Sequence, residues 1–335
     1  VWNAYAPVML PSGGEGLPTV TGTLVPRVIW ILWFDGWEQA PELHQRCLES
    51  WQLFNLGWEV RAISRKEIPG LLGDFMPRYE QLRTAMNPIE RFGGFWIPPA
   101  AESDLLRLLL LAMYGGVWAD STMLCRRPLD DWLTEVAASG FFAFSPESLE
   151  EKEYIPVMSS FLAAQPSHKL MVAWLKRVIE HWSTPSIERQ DRGFFWVHNI
   201  FGELVAESPT GDAEAVRAWR EVPRVTGEYG KKGPHFFVPY KKKLGPFPTP
   251  ELQVAIEQDL ETPMWKLTNH EVKLNDVTRD SCYWVLLEET RRQARAHLTR
   301  SLGNGSSATG GSLGPALAML SAATHATVLK KLLTP

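Results

Sequence analysis

Seven consecutive apolar residues, Val28-Ile29-Trp30-Ile31-Leu32-Trp33-Phe34, follow Arg27 and stop at Asp35-Gly36. A run of this length, rich in β-branched and aromatic side chains and closed by a turn signal, predicts a strand buried on both faces. Pro41–Asn55 comes next, with Leu43, Cys47, Leu48, Trp51 and Phe54 on one helical face and Gly57 placed as a C-terminal capping glycine. Trp58–Ile63 alternates and predicts a second strand. Strand, helix and strand in this order form a βαβ unit, and such units imply an α/β fold with a parallel sheet.

Composition narrows the class further. The chain has 335 residues, of which 45% are hydrophobic and 21% charged, and 34 Lys+Arg against 38 Asp+Glu leave a net charge of −4. These values exclude a mostly disordered chain, a collagen-like chain and a coiled coil. They also allow a sizeable core without metal or disulfide staples. Balanced charge gives no electrostatic case for nucleic acid. The one basic run, Lys241-Lys242-Lys243 with Lys231-Lys232 nearby, reads as a solvated loop, or as a contact to phosphate or an anionic surface. Cys47, Cys125 and Cys282 have no C-x-x-C spacing, so no zinc or redox motif is expected, and a reducing compartment is preferred. No window reaches the roughly 20 apolar residues that span a bilayer.

Residues 1–24 read as an extended arm, 25–302 as one α/β domain, and 303–335 as a Gly/Ser linker followed by a helix over Ala316–Leu333. Within the domain, 64–100 reads as irregular with short helical pieces. Ser103 is placed as the N-cap of a helix over Asp104–Met113, which Gly115-Gly116 stop. Val117–Ala119 then reads as a buried strand that continues through Asp120-Ser121-Thr122 into Met123–Cys125. Further strands are expected at Phe141–Phe144 and Pro156–Leu162, and helices at His168–Trp182, Phe195–Glu207 and Leu286–Leu302. The segment 208–250 reads as loop-rich.

The chemistry concentrates between Ser103 and Pro128. Asp104 and Arg107 are three residues apart on a helix, so they share a face. Gly115-Gly116 permit a sharp turn, and Asp120 falls at the carboxyl end of a strand, where ligands bind in open α/β sheets. The spacing is compatible with two carboxylates and an arginine converging on a cleft. It is equally compatible with an ordinary surface ion pair beside a turn.

Three motifs here, Ser103-Asp104-Leu105-Leu106-Arg107, Tyr114-Gly115-Gly116-Val117-Trp118-Ala119-Asp120-Ser121-Thr122 and Arg127-Pro128-Leu129, resemble the glycosyltransferases of the capsular-polysaccharide-synthesis type. That type is close to the family-32, initiating-mannosyltransferase and glucosylating-toxin group. Val25–Trp30 with Trp33, Cys47–Trp51 with Trp58-Glu59-Val60, and Lys266-Leu267-Thr268 match in order as well.

The resemblance implies a GT-A (Rossmann-like) fold with a central, mostly parallel mixed sheet flanked by helices. It also implies a retaining enzyme that uses a nucleotide-sugar donor such as a UDP- or GDP-hexose. By the same resemblance Asp104 and Arg107 contact the donor sugar, Asp120, Ser121 and Thr122 hold the nucleotide, Trp33 stacks on its base, and Lys266 lies at the donor. A Mn²⁺ or Mg²⁺ ion is implied at Asp120 and Thr122, with His270 as a further ligand.

Thr122 stands where the second aspartate of Asp-x-Asp is common. A hydroxyl is a weaker ligand for such ions than a carboxylate, so cationic side chains, Lys266 or His270 among them, are alternatives to the metal. Trp96, in a Pro/Gly-rich loop, is the candidate for stacking on an acceptor sugar. The acceptor implied contains carbohydrate and is a glycan, a lipid-linked glycan or a protein. No nucleic-acid partner is expected, and peripheral association with a membrane stays open. So does the compartment: cytoplasmic or membrane-peripheral in a microbe, Golgi lumen in a eukaryote. A non-catalytic glycan- or nucleotide-binding protein on the same scaffold is the alternative, with Thr122 as its support. A dinucleotide-dependent oxidoreductase fits poorly, because no G-x-G-x-x-G follows the first strand.

The chain also carries 15 Trp against 7 Tyr. Most of the early ones, Trp51 and Trp118 included, are expected in the core, leaving Trp33 and Trp96 for ligands.

Overall fold

The computed structural model describes residues 24–86, 99–145, 156–190, 192–193, 195–225, 235–237, 262–267, 279 and 282–304. In chain order the first elements are β1 (Val28–Leu32), α1 (Glu42–Phe54), β2 (Glu59–Ile63), α2 (Ile68–Leu72), α3 (Met76–Ala85), α4 (Pro99–Tyr114), β3 (Gly116–Ala119) and β4 (Met123–Cys125). They are followed by α5 (Leu133–Val136), β5 (Phe141–Phe144), β6 (Met158–Ala164), α6 (Lys169–Ser183), α7 (Trp196–Leu204), α8 (Ala213–Arg220), β7 (His235–Phe237), β8 (Met264–Lys266) and α9 (Cys282–Asn304).

The expected βαβ unit forms. β1 pairs in parallel with β2, Val28 opposite Glu59 through Leu32 opposite Ile63, and α1 makes the crossover. The full sheet runs β2-β1-β3-β6-β5. β1 and β3 are parallel, and β6 is antiparallel to both β3 and β5, so β6 alone runs against the rest. This is the central, mostly parallel mixed sheet that was expected.

Successive strand residues point to opposite faces. Val28, Trp30, Leu32, Trp118 and Leu162 pack on one side with α4, α6 and α7. Ile29, Ile31, Val117, Ala119 and Phe161 pack on the other with Trp51 and Trp132. β1 is uniformly apolar because both of its faces are covered. Each large side chain buried this way contributes roughly 1.5–3 kcal/mol.

Several boundaries differ from expectation. α4 begins at Pro99, so Ser103 lies inside the helix and does not cap it. The fixed φ of proline suits a first helical turn, where its missing N–H costs nothing. α1 is capped by Asn55, whose side chain donates to the Trp51 carbonyl and accepts from the Leu129 amide. Gly57 is not in the left-handed region and has no capping role. Met123–Cys125 does not prolong β3. The Met123 amide closes a tight turn onto the Asp120 carbonyl at 2.8 Å, and the chain leaves for a second sheet of order β4-β8-β7. α8 lies inside the segment read as loop-rich, where no helix was placed, and α9 reaches Asn304, past the expected end at Leu302.

Gly115 and Gly116 act as expected, with φ of +67° and +93°. A Cβ on Gly115 would stand 2.6 Å from Pro166 Cδ and 2.7 Å from the Ala164 carbonyl, so only glycine lets α4 turn into β3 here. Trp30 locks the turn by donating its indole N–H to the Gly115 carbonyl at 2.9 Å.

A third apolar cluster, Leu43 and Cys47 of α1 with Leu124, Trp265, Leu267, Trp284, Leu286 and Leu287, fastens the small sheet between α1 and α9. Among the described residues no helix is long and apolar enough to cross a membrane. Nearly all of the N-terminal arm and of the C-terminal linker and helix lies outside the described residues, as do the lysine run at 241–243 and Lys231 and Lys232.

Candidate active site

Three elements deliver charged groups to one place. α4 supplies Asp104 and Arg107, the end of β3 supplies Asp120, and β8 supplies Lys266. One Arg107 nitrogen, Nη1, contacts Asp104 Oδ1 at 2.8 Å and also donates to the Ser159 hydroxyl. The other, Nη2, donates to Asp120 Oδ1 at 2.9 Å. Asp120 Oδ1 also accepts the Trp118 indole N–H at 3.0 Å, and the Arg107 guanidinium stands 5.2 Å from the Trp118 ring centroid. On the other carboxylate oxygen, Asp120 Oδ2 accepts from Lys266 Nζ at 2.8 Å, and the same ammonium donates to Thr122 Oγ1 at 2.7 Å.

Local folding explains the placement. The Asp120 amide extends the β3–β6 ladder by donating to the Ser160 carbonyl at 2.9 Å. Trp51 then anchors the turn by donating to the Met123 carbonyl at 2.8 Å. The register of the small sheet sets Lys266 opposite Met123, and the Leu267 amide donates to the Thr122 carbonyl at 2.9 Å.

The two carboxylates respond in opposite ways. Burial raises Asp104 to about 7; the Asp120 charge adds to the rise, while Arg107 and Lys266 oppose it. Burial acts on Asp120 in the same direction. There Lys266 and Arg107, with hydrogen bonds from Lys266 and Trp118, outweigh it and hold the carboxyl down at about 2. Near neutral pH the cluster therefore holds one firm carboxylate, one carboxyl that titrates, and two cations.

Ser121 and Trp33 join through a residue that the sequence did not single out. Ser121 Oγ lies 2.9 Å from His44 Nδ1, and the His44 ring lies 4.3 Å from the Trp33 ring at 44°. The Trp33 indole N–H is buried and has no hydrogen-bond partner among the described residues.

Three more residues were missed. Trp118 lies within the central motif, two positions before Asp120, but was read as core. Ser159 and His198 carried no signal. His198, on α7, accepts a long 3.4 Å hydrogen bond at Nε2 from the Ser159 amide. Burial and the Arg107 charge hold its pKa down at about 4, against a smaller opposing pull from Asp120. The imidazole is therefore neutral, with its proton on Nδ1, and that buried nitrogen has no partner among the described residues. Trp96 and His270 lie outside the described residues.

A divalent ion does not fit the donor set of the described residues. Both oxygens of Asp120 accept hydrogen bonds, and an ammonium already lies between Asp120 and Thr122. Among the described residues no group of three or more His, Cys, Asp or Glu could hold a metal. Mg²⁺ and Ca²⁺ take about six or more oxygen ligands, with charged ones preferred.

Known proteins supply the class. An uncharacterized glycosyltransferase of Acanthamoeba polyphaga mimivirus is 23% identical over 198 residues, which cover 58% of this chain and 71% of that protein. The glycosyltransferase afumC of Aspergillus fumigatus is 37% identical over 112 residues, 31% of this chain and 26% of that protein. The O-glycosyltransferase PaGT of Phomopsis amygdali is 27% identical over 165 residues, 47% of this chain and 39% of that protein. The chain thus spans well under half the length of the two fungal relatives. A solved structure of the PaToxG glycosyltransferase is 14% identical with a TM-score of 0.37, covering 58% of this chain and 74% of that one, a likeness too remote to add weight.

The chain is a glycosyltransferase. A family model described as capsular polysaccharide synthesis protein matches residues 19–284, and the chain belongs to that family.

Proposed function

We propose that the chain transfers a hexose from a UDP- or GDP-hexose to a hydroxyl of a carbohydrate-containing acceptor, with retention of anomeric configuration. The observation that carries this reading is the convergence of Asp104, Arg107, Asp120 and Lys266 at the carboxyl end of β3. In α/β sheets that end of a strand is where ligands bind.

Asp104 and Arg107 hold the hydroxyls of the donor sugar, Asp120 accepts from the ribose hydroxyls, and Ser121 donates to the diphosphate. Held in this way, the reacting atoms need no further ordering when the bond breaks. The bond between the anomeric carbon and the β-phosphate oxygen breaks, and its electron pair stays on that oxygen. The acceptor oxygen bonds the anomeric carbon from the same face, and its proton passes to the leaving phosphate. Fixed cations beside the diphosphate stabilise the charge that develops there. The base lies against Trp33, a flat surface worth roughly 1–3 kcal/mol per stacked base. Transfer to a hydroxyl agrees with the naming of the Phomopsis amygdali relative as an O-glycosyltransferase.

The test is release of nucleoside diphosphate from a panel of UDP- and GDP-hexoses by the wild-type chain and by Asp120→Ala, with the product anomer read by NMR. The expected result is release with one donor, a retained anomer, and at least ~10³-fold slower release by a folded Asp120→Ala. Equal release by the variant, or an inverted anomer, contradicts the reading.

A further inference from the structure

We propose that Lys266 is a substrate-contacting residue that takes the place of a divalent metal: its ammonium bridges Asp120 and Thr122 and turns its remaining N–H to the donor diphosphate. This rests on the reading of the site as a nucleotide-sugar site.

An ammonium has three donors and no acceptor. Two are committed, to Asp120 Oδ2 at 2.8 Å and to Thr122 Oγ1 at 2.7 Å. Among the described residues the third has no partner, and the side chain keeps 22% of its exposure, so a ligand can reach it from solvent.

A counter-ion for Asp120 is the plainer role. Arg107 already serves that role at 2.9 Å, so Lys266 is a second cation on one carboxylate. Its position is also built in. The register of β4 against β8 and the bond from the Leu267 amide to the Thr122 carbonyl fix its backbone, and Trp265 and Leu267 root it in the apolar cluster under the small sheet.

Thr122 belongs to the same arrangement. A hydroxyl is a poor ligand for Mn²⁺ or Mg²⁺ but a good acceptor for an ammonium, and a carboxylate here would face Lys266 as a third acid among two cations. When the anomeric bond breaks, the electron pair left on the β-phosphate oxygen meets the Lys266 charge, and the ammonium keeps its proton. Lysine suits this task because it acts on phosphate as a compact point charge.

The experiment uses the full chain after EDTA treatment. Calorimetry reads binding of UDP and GDP, and of uridine and guanosine, with and without Mn²⁺. Diphosphate release from a UDP- or GDP-hexose is read in parallel. The proposal expects wild-type binding and release to change less than about threefold between EDTA and Mn²⁺. It expects Lys266→Met, which keeps the aliphatic stem, to lose about 10²–10³-fold in release, the usual cost of removing one charge-stabilising group. That variant should also bind the diphosphates more weakly and leave nucleoside binding unchanged, with Lys266→Arg recovering part of the loss.

The double variant Lys266→Ala/Thr122→Asp should become dependent on Mn²⁺ for diphosphate binding. Loss of wild-type UDP and GDP binding in EDTA with recovery in Mn²⁺, or full activity in Lys266→Met, overturns the proposal. If no donor is cleaved, the transferase reading fails while calorimetry still decides the role of Lys266. Binding of neither diphosphate counts against it.

Discussion

Helix α4 carries two buried charge clusters, and they are built on different terms. Glu102 receives Arg65 at 2.7 and 2.9 Å, the Tyr79 hydroxyl at 2.6 Å and Arg83 at 3.0 Å. One carboxylate thus faces two arginines and a phenol. Burial alone would raise it, but its hydrogen bonds from Arg65 and Tyr79 and the charges of both arginines carry it below the ordinary range. Two residues further on, and so on a different side of the helix, Asp104 shares Arg107 with Asp120. There one carboxyl is pushed up and the other held down, and among the described residues the Arg107 Nε–H and the His198 Nδ1–H have no hydrogen-bond partner. The first cluster ties α3 and the loop after β2 to α4. The second holds two carboxyl groups on one shared arginine beside buried donors that the described residues do not satisfy, a costlier arrangement than the first.

The comparison breaks most visibly at the arginines. Arg107 is 5% exposed, and Arg107→Met leaves two buried carboxylates without their shared partner, so the fold should lose about 3–5 kcal/mol in denaturant titration. Arg65 is 45% exposed and Glu102 keeps Arg83 and Tyr79, so Arg65→Met should cost only about 1 kcal/mol. Equal losses would erase the distinction.

Titration separates the two acids next. Asp104 ionises at an ordinary 3.8 when unfolded but at about 7 when folded. The unfolded chain therefore releases this proton first, and the contribution of Asp104 to stability falls as pH rises from about 4 to 7. Asp104→Asn should remove that fall, so its stability relative to wild type should rise across this window. Asp120 has the opposite sign: its folded value is about 2, so its contribution is present above pH 4 and lost as pH falls toward 2. Denaturation curves of both proteins from pH 4 to 8 check this, and a constant difference between them contradicts it.

The smallest effects distinguish ligand from scaffold. Trp33→Ala should weaken UDP or GDP binding by about 1–3 kcal/mol with little change in melting temperature. Tyr79→Phe should do the reverse, costing about 1 kcal/mol of stability with unchanged nucleotide affinity. Calorimetry and thermal melts of the two variants read both halves.

What could be read beforehand follows the same divide between local and distant order. β1, α1 and β2 were legible because their periods and turn signals lie within one short stretch. For Asp104, Arg107 and Asp120, helix spacing and a strand end left two readings open, a shared cleft or an ordinary ion pair beside a turn, and the family resemblance favoured the first. Lys266 is 146 residues from Asp120, and only the pairing of two three-residue strands joins them, so nothing but the family resemblance marked it. Strands that short carry no period, which is why β4 was read as a continuation of β3. His44 and His198 each look like an ordinary histidine until tertiary packing sets one against Trp33 and Ser121 and the other beside Ser159. Ser103 misled because a serine before an acidic residue resembles a cap, while Pro99 had already started the helix.

A crystal structure of the EDTA-treated chain with UDP or GDP tests the central claim most directly. It should show the diphosphate within about 2.7–3.2 Å of Lys266 Nζ and the base against Trp33, with Arg107 still paired to both carboxylates. A nucleotide bound away from this cluster would contradict the account, as would a diphosphate there that leaves Lys266 on Asp120 and Thr122 without touching it.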